Sequence, residues 1–504
     1  MTQTLAPAAR ESDHQVKITR WVATVAGLLG FVLSILTPLL PVVQTTATLN
    51  WPQGGQLANV TSPLISLSPV SMTATVPCEA IRSMPPKGGL VLGLAPQKAK
   101  DAGLNSLFVT VDAQRVNIAD RNVVIASVPR AKVIAPECQR IEISSSEKGT
   151  FASFIGLPPS ADYQDLDAEE KEKSPQTGYD YLRSGFADPN LRPGIVGVFT
   201  DLTGPAPAGL SVSATIDTRF TTRPPALKLA AMLLAMAATI IAVAALWRLD
   251  RLDGRRMHRL IPKRWRTFTA VDVTVVGTFV VWYVMGANSS DDGYILGMAR
   301  VADRAGYMSN YFRWFGVPED PFGWYYNVLA LMTHVSTASL WIRLPDLICA
   351  LICWLLLSRE VLPRLGPAVA SSRPALWAAG LVLLAAWMPF DNGLRPEGQI
   401  TTGALITYVL IERAISSGRL TPFALAIISA AFTLGIQPTG LIAVAALIAG
   451  GRPILRIVAR RRAVVGTWPL IAPLLAAGTV ILTVVFADQT LATVLEATRI
   501  RTDI

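Results

Sequence analysis

The run Asn288-Ser-Ser-Asp-Asp-Gly-Tyr294 sets two carboxylates, Asp291 and Asp292, side by side, with a tyrosine three residues on. Aromatics and acids follow closely, in Tyr311-Phe-Arg-Trp-Phe315 and then Glu319-Asp-Pro-Phe-Gly-Trp-Tyr-Tyr326. A carboxylate held among aromatic rings at a membrane edge can be tuned as a general base. Rings stack on the C–H faces of sugars while acids accept sugar hydroxyls, so the pairing suits a carbohydrate. Two ordinary readings compete: Ser289 or Ser290 caps a helix whose first turn holds both acids, and the rings form an interfacial belt. On composition alone the functional and ordinary readings stand level. A second cluster is Asp391-Asn-Gly-Leu-Arg-Pro-Glu397. There Arg395 either pairs with Glu397 or offers a bidentate fork to a phosphate presented from the bilayer. Gln437-Pro-Thr-Gly440 reads as a tight turn near the same site.

What must position these residues is a membrane fold. The chain has 504 residues, 51% hydrophobic and only 16% charged, with a mean hydropathy of +0.42. That excludes disorder and an ordinary soluble enzyme. Three His leave little for triads or zinc, and neither a P-loop nor a dinucleotide fingerprint occurs. Apolar runs at 21–43, 226–247, 267–287, 345–358, 374–390, 400–415, 421–436, 440–450 and 466–486 suggest nine crossings, several of them short. The first is too long for a signal-peptide core and lacks a clear cleavage site, so it reads as an uncleaved anchor after a cytoplasmic segment 1–20.

Charge orients the spans. With the N-terminus cytoplasmic, the inner segments carry 21 Lys and Arg against 6 acids, and the short outer ones carry 6 against 10. The positive-inside rule is obeyed throughout, so the net charge of +10 records orientation rather than a nucleic-acid footprint. The loop 288–326 and Arg395 then lie outside, at the plasma membrane. Between the first two spans, residues 44–225 read as short β-strands parted by Pro- and Gly-rich turns. The expected strands are 89–94, 106–111, 122–128, 140–144, 194–199 and 210–219, giving an extracytoplasmic all-β jelly roll or sandwich. Ala161–Asp180, with seven acids, reads as a solvated excursion. Cys78 and Cys138 fall in this oxidising compartment and can form a disulfide, whereas Cys349 and Cys353, four apart within a span, read as packing residues.

The stretches 288–300, 307–315, 318–326 and 392–397, with Asn50-Trp-Pro-Gln53 and Phe199–Ala206, resemble the Emb arabinosyltransferases of mycobacteria over essentially the whole chain. The resemblance implies a polytopic α-helical GT-C glycosyltransferase fold, with residues 226–504 contributing about eight spans. It also implies arabinofuranose transfer from decaprenyl-phosphoryl-arabinose to arabinan of arabinogalactan or lipoarabinomannan, by inversion. Asp291 would be the general base, with Asp292 supporting it. Arg395 would hold the donor phosphate, and Glu397, Tyr294, Glu319, Trp324 and Tyr326 would bind substrate. Asp291, Tyr294, Met298, Glu319 and Tyr326 would line the site of the drug ethambutol, a diamine suited to acids. No cofactor is required by this chemistry, although Ca²⁺ is an option in the family's carbohydrate-binding domains. Expected partners are an Emb paralogue and an acidic acyl carrier protein, placed on the basic stretch Arg248–Arg266, including Arg251, Arg255 and Arg256. That stretch also reads as an orienting loop on anionic lipid. Family members are considerably longer, with further spans and a C-terminal carbohydrate-binding domain. The alternative function is therefore a catalytically incompetent, carbohydrate-binding or partner-holding membrane subunit.

Overall fold

Period-two alternation sorts the strand residues into a core face and a wet face. In Ser211–Ile216, Val212, Ala214 and Ile216 are buried while Ser211, Ser213 and Thr215 are exposed. The computed structural model describes residues 7–61, 69–158, 184–188, 191–252, 263–310, 316–389 and 393–503. It divides into a β-rich unit, essentially Gln44–Thr221, and a helical unit made of the rest.

In the β-rich unit the main strands are β1 (Thr48–Trp51), β2 (Pro69–Pro77), β3 (Gly89–Gly93), β4 (Leu107–Val111), β5 (Arg115–Asp120), β6 (Val123–Pro129), β7 (Arg140–Ser146), β8 (Gly149–Ile155), β9 (Ser184–Phe186) and β10 (Ser211–Ile216). Six form one antiparallel sheet, in the order β9-β8-β7-β2-β10-β1, and β3 to β6 form a four-stranded meander. Their inner faces share one core that includes Trp51, Met72, Val76, Leu92, Ile118, Ile143 and Phe154. Arg121 and Asn122, both at positive φ, make the two-residue β5–β6 hairpin, because such φ values match the sheet's twist. The strand expected at 194–199 shrinks to Gly197–Val198. Cys78 and Cys138 are joined as a disulfide, with Cα atoms 5.9 Å apart. Arg82 braces the second cysteine's segment by donating to the carbonyls of Ile134, Ala135 and Cys138. The acidic stretch Ala161–Asp180 lies outside the described residues.

In the helical unit the principal helices are α1 (Pro7–Leu36), α2 (Ala226–Leu252), α3 (Ala270–Met285), α4 (Asp292–Ala305), α5 (Trp324–Thr333), α6 (Ser339–Leu356), α7 (Arg373–Trp387), α8 (Glu397–Ser417), α9 (Thr421–Leu434), α10 (Leu441–Val465), α11 (Trp468–Thr479) and α12 (Leu491–Asp503). Among the described residues, five helical stretches are long and apolar enough to cross a membrane: 14–39, 226–252, 339–364, 438–465 and 468–485. Three shorter apolar helices are 270–285, 373–387 and 421–434. The chain is a multi-pass membrane protein with a β domain placed in sequence between its first two long helices. Small residues draw helices together. A Cβ at Gly27 of α1 would lie 2.5 Å from the Ala472 carbonyl carbon of α11, so only glycine permits that approach.

The ends differ from expectation, and the charges explain why. Helix α10 runs on from the expected stop at Gly450 to Val465, carrying Arg452, Arg456 and Arg460 to Arg462 as helical residues rather than a loop. Arg461 pairs with the fully buried Asp250, which also accepts from the Thr421 amide (2.8 Å) and hydroxyl (2.6 Å). Helix α6 passes through a π-helical turn, Leu357–Val361, that turns Ser358, Arg359 and Glu360 inward. Arg359 reaches Asp272 at 2.8 Å, and Trp354 donates to the same carboxylate at 2.9 Å. Glu360 collects Arg364, Arg413 and the Trp265 indole at 2.7 to 2.9 Å. Charges that look like loop markers are thus helix-to-helix ties, which buried ions must be to persist.

Candidate functional site

Helix α4 begins between the two aspartates and gives them different environments. Asp292 is its first residue and only 7% exposed. Its carboxylate accepts from the Ser289 amide (3.1 Å), the Ser289 hydroxyl and the Leu394 amide (2.8 Å), so it fastens the helix start to the loop before α8. That loop approaches closely: a Cβ at Gly393 would stand 3.1 Å from the Ser289 hydroxyl and 3.3 Å from Asp292 Oδ1. Asp291 sits at the N-cap position but makes no side-chain cap bond. Its side chain is 29% exposed, and its Oδ2 receives Arg395 Nε at 2.7 Å together with the same arginine's Nη2. The capping explanation therefore accounts for Asp292, helped by Ser289, and does not account for Asp291, which pairs with Arg395 instead.

Arg395 pairs with Asp291, a partner the sequence reading did not weigh, rather than with Glu397. The Asp291 carboxylate beside it raises the guanidinium pKa further. Glu397 opens α8, where a carboxylate suits the helix dipole, and its Oε2 is buried without a hydrogen-bond partner. The charges of Glu397 and Tyr294 also act on Arg395, which places them in the same neighbourhood.

The aromatic side of the site is built by α4, α5 and the turn before α5. Met298 and Ile295 of α4 are buried against Tyr325, Tyr326, Leu394 and Ile436, with Tyr294 half-buried at the edge. Burial raises the Tyr326 hydroxyl pKa, the neighbouring Glu319 charge raises it further, and a hydrogen bond with Gln437 partly offsets both. Glu319 accepts from the amide of the buried Asn310. Gly323, at φ 89°, turns the chain into α5, and its amide donates to the carbonyls of Gly435 (3.0 Å) and Ile436 (2.9 Å). That couples the Glu319 turn to the Gln437 turn.

Asp291, Tyr294, Glu319, Tyr326, Arg395 and Glu397 are thus brought together. Met298 supports them from the core rather than presenting a surface. Trp324 faces elsewhere: its indole donates to the Phe432 carbonyl at 2.8 Å and its ring meets Phe432 edge-on at 5.6 Å. Tyr311 to Phe315, Asp391, Asn392, Arg255 and Arg256 lie outside the described residues. Sequence reading weighed Ser289 only as a helix cap and passed over Asn310, Tyr325, Asp346 and Gln399. Gln399 links Asp346 (2.7 Å) to the Tyr325 hydroxyl (3.0 Å) beneath the site. Asp346 carried a signal, a buried acid in an apolar run, whereas Asn310 and Gln399 carried none. Among the described residues no group of three or more His, Cys, Asp or Glu is gathered for a metal. What the arrangement offers is an accessible carboxylate, a guanidinium fork beside it, and hydroxyl acceptors flanked by tyrosines.

Comparison with known proteins gives the family. The family of mycobacterial cell wall arabinan synthesis proteins matches residues 223–504, and an arabinosyltransferase concanavalin-like domain matches residues 43–219. The chain is 74% identical over 489 residues to probable arabinosyltransferase B of Mycolicibacterium smegmatis, covering 97% of this chain and 44% of that protein. It is 46% identical to probable arabinosyltransferase C of the same organism, again over 97% of this chain and 45% of the relative. A single-particle cryo-EM structure of arabinosyltransferase EmbB from Mycobacterium smegmatis superposes with a TM-score of 0.79 at 74% identity, covering 97% of this chain and 46% of that one. The chain therefore spans less than half the length of these relatives. With both regions matched and the identity sustained over nearly every residue, this chain belongs to the mycobacterial cell wall arabinan synthesis family.

Proposed function

We propose that the chain carries the catalytic carboxylate and donor-phosphate site of an arabinosyltransferase that extends cell-wall arabinan. The observation that carries this reading is the pairing of a partly exposed Asp291 with Arg395 at the start of α4, while Asp292 is consumed in fixing that start. In the proposed step, an acceptor hydroxyl gives its proton to Asp291 as its oxygen forms a bond to the donor's anomeric carbon. The bond from that carbon to the phosphate oxygen breaks, the electron pair leaves with decaprenyl phosphate, and the configuration inverts. Arg395 steadies the phosphate charge through its fork, and that competition for the guanidinium releases Asp291 to act as base. Glu319, Glu397, Tyr294 and Tyr326 receive sugar hydroxyls and ring faces. Charge asymmetry supports a site on the outer side of the plasma membrane, with the N-terminus cytoplasmic. A paralogue of the family is the proposed partner, with an acidic acyl carrier protein on Arg248–Arg266.

Membranes holding the chain, given lipid-linked labelled arabinose and an oligoarabinoside, should yield an acceptor lengthened by one residue. Retention of the acceptor without transfer would instead favour a carbohydrate-binding subunit. Neither retention nor transfer would reject both readings.

A further inference from the structure

We infer that Arg501, on α12, is a positioning residue for the Glu319 turn. Its guanidinium donates through Nη1 to the Pro318 carbonyl at 2.8 Å and through Nη2 to the Asp320 carbonyl at 2.7 Å. These are the two carbonyls that flank Glu319. One rigid planar cation therefore spans the residue on both sides, as a lysine's single ammonium could not. The inference rests on the reading of Glu319 as a substrate-binding group.

The clamp is anchored at its other end. Thr498, one turn earlier on α12, accepts a third bond from Arg501 Nη2 at 3.0 Å. The start of α12 is closed by reciprocal bonds between Thr490 and Thr493, at 2.9 and 3.2 Å. Just ahead of it, the fully buried Lys228 of α2 donates to the Gln489 carbonyl at 2.7 Å. The Gln489 amide in turn reaches the Thr222 hydroxyl at 3.2 Å. Arg501 is thus held in register with α2, and the turn in register with Arg501.

Charge favours the same arrangement. Burial disfavours the Arg501 cation, and the negative charges of Glu319 and Asp320 offset this. Glu319 has a side-chain partner in Asn310, and the amides of Phe322 and Gly323 are bonded to Glu319 (3.2 Å) and to Gly435 and Ile436. The Pro318 side is also held by the strand pairing of Val317–Pro318 with Ser309–Asn310, so losing Arg501 chiefly loosens the Asp320 side of Glu319. Glu319 then keeps its chemistry and loses its direction.

The test compares Arg501→Gln and Arg501→Lys with the parent chain in lipid nanodiscs. Hydrogen exchange is followed over 316–326 and over α2, with transfer kinetics measured on the same samples. Arg501→Gln is expected to speed exchange at Phe322 and Gly323 about tenfold or more, as the loss of a charge-assisted bond implies, and to leave α2 unchanged. The acceptor KM should rise about tenfold with kcat within about threefold, and Arg501→Lys should recover part of both effects. Unchanged exchange at the turn would overturn the inference. So would exchange that rises equally in α2, or a fall in kcat with KM unaltered. A parent chain without transfer would count against the transferase reading alone, since the exchange measurement decides the clamp by itself.

Discussion

Asp292 accepts hydrogen bonds on both carboxylate oxygens, from Ser289 and from the Leu394 amide, whereas the Asp291 carboxylate is met by the fork of Arg395. At the residue scale this division decides the expected consequences of substitution. Arg395→Lys keeps a positive charge but not the bidentate geometry, so the donor KM should rise about tenfold or more with the fold intact. Steady-state kinetics against lipid-linked arabinose measures this, and an unchanged donor KM would remove Arg395 from the phosphate role. The adjacent acids were visible in the sequence and the family resemblance suggested their roles, yet their different hydrogen-bond environments were not legible. The separation depends on where a helix begins and on a loop 100 residues away, which local spacing does not encode. A different residue gives a pH prediction. Burial pushes the β5 residue Asp120 up to about 7, partly offset by the Thr150 hydroxyl and by Arg121. Its folded-state pKa is raised above the ordinary carboxylate value, so its stabilising contribution is complete below about pH 4 and is lost as pH rises through about 7. The slope approaches about 1.4 kcal/mol per pH unit for one proton. Asp120→Asn should flatten that dependence and raise stability of the β-rich unit at pH 8, as read by hydrogen exchange of β5 and β6.

At the element scale, the apolar runs located the helices well but not their ends. Hydrophobic periodicity reports where side chains are greasy, and it stops at the first charge. Arg461, Arg359 and Glu360 lie past those stops and are still helical, because a partner on another helix neutralises each one. Such pairing is a tertiary property, so the expected inner loop at 358–373 proved partly helix and that at 451–465 wholly helix. The strands fared similarly: β10 was legible from its alternation, whereas the short strand Gly197–Val198 depends on pairing with Val60 and Thr61. The buried Asp272–Arg359 pair makes the expectation quantitative. Asp272→Ala strands a cation among Trp354 and Thr269 and should cost about 3–5 kcal/mol. The double variant Asp272→Leu with Arg359→Met should recover most of that loss. Thermal unfolding in detergent measures both, and an Asp272→Ala chain as stable as its parent would show that the pair does not tie α3 to α6.

For the whole molecule, the charge distribution along the chain proposes an orientation that helix length alone does not supply. If the basic segments are cytoplasmic, a cysteine at Arg266 should react with an impermeant maleimide only after permeabilisation. A cysteine at Ser290 should react in intact cells. Cys349 and Cys353, replaced by alanine, would not contribute. Labelling of both positions from one side would contradict the topology, and protection of the Ser290 position in intact cells would place the site on the wrong face for a lipid-linked donor presented outside.

The central claim is that one of two adjacent carboxylates is the base and the other is a structural fastening. The most direct measurement is transfer by matched Asp291→Asn and Asp292→Asn chains, alongside their thermal unfolding. Asp291→Asn should fold as the parent does and lose transfer by about a hundredfold or more, in line with removal of a general base. Asp292→Asn should unfold at a lower temperature, because the Ser289 amide loses its carboxylate acceptor, and should retain a larger share of its transfer. An Asp291→Asn chain that turns over at the parental rate would contradict the account.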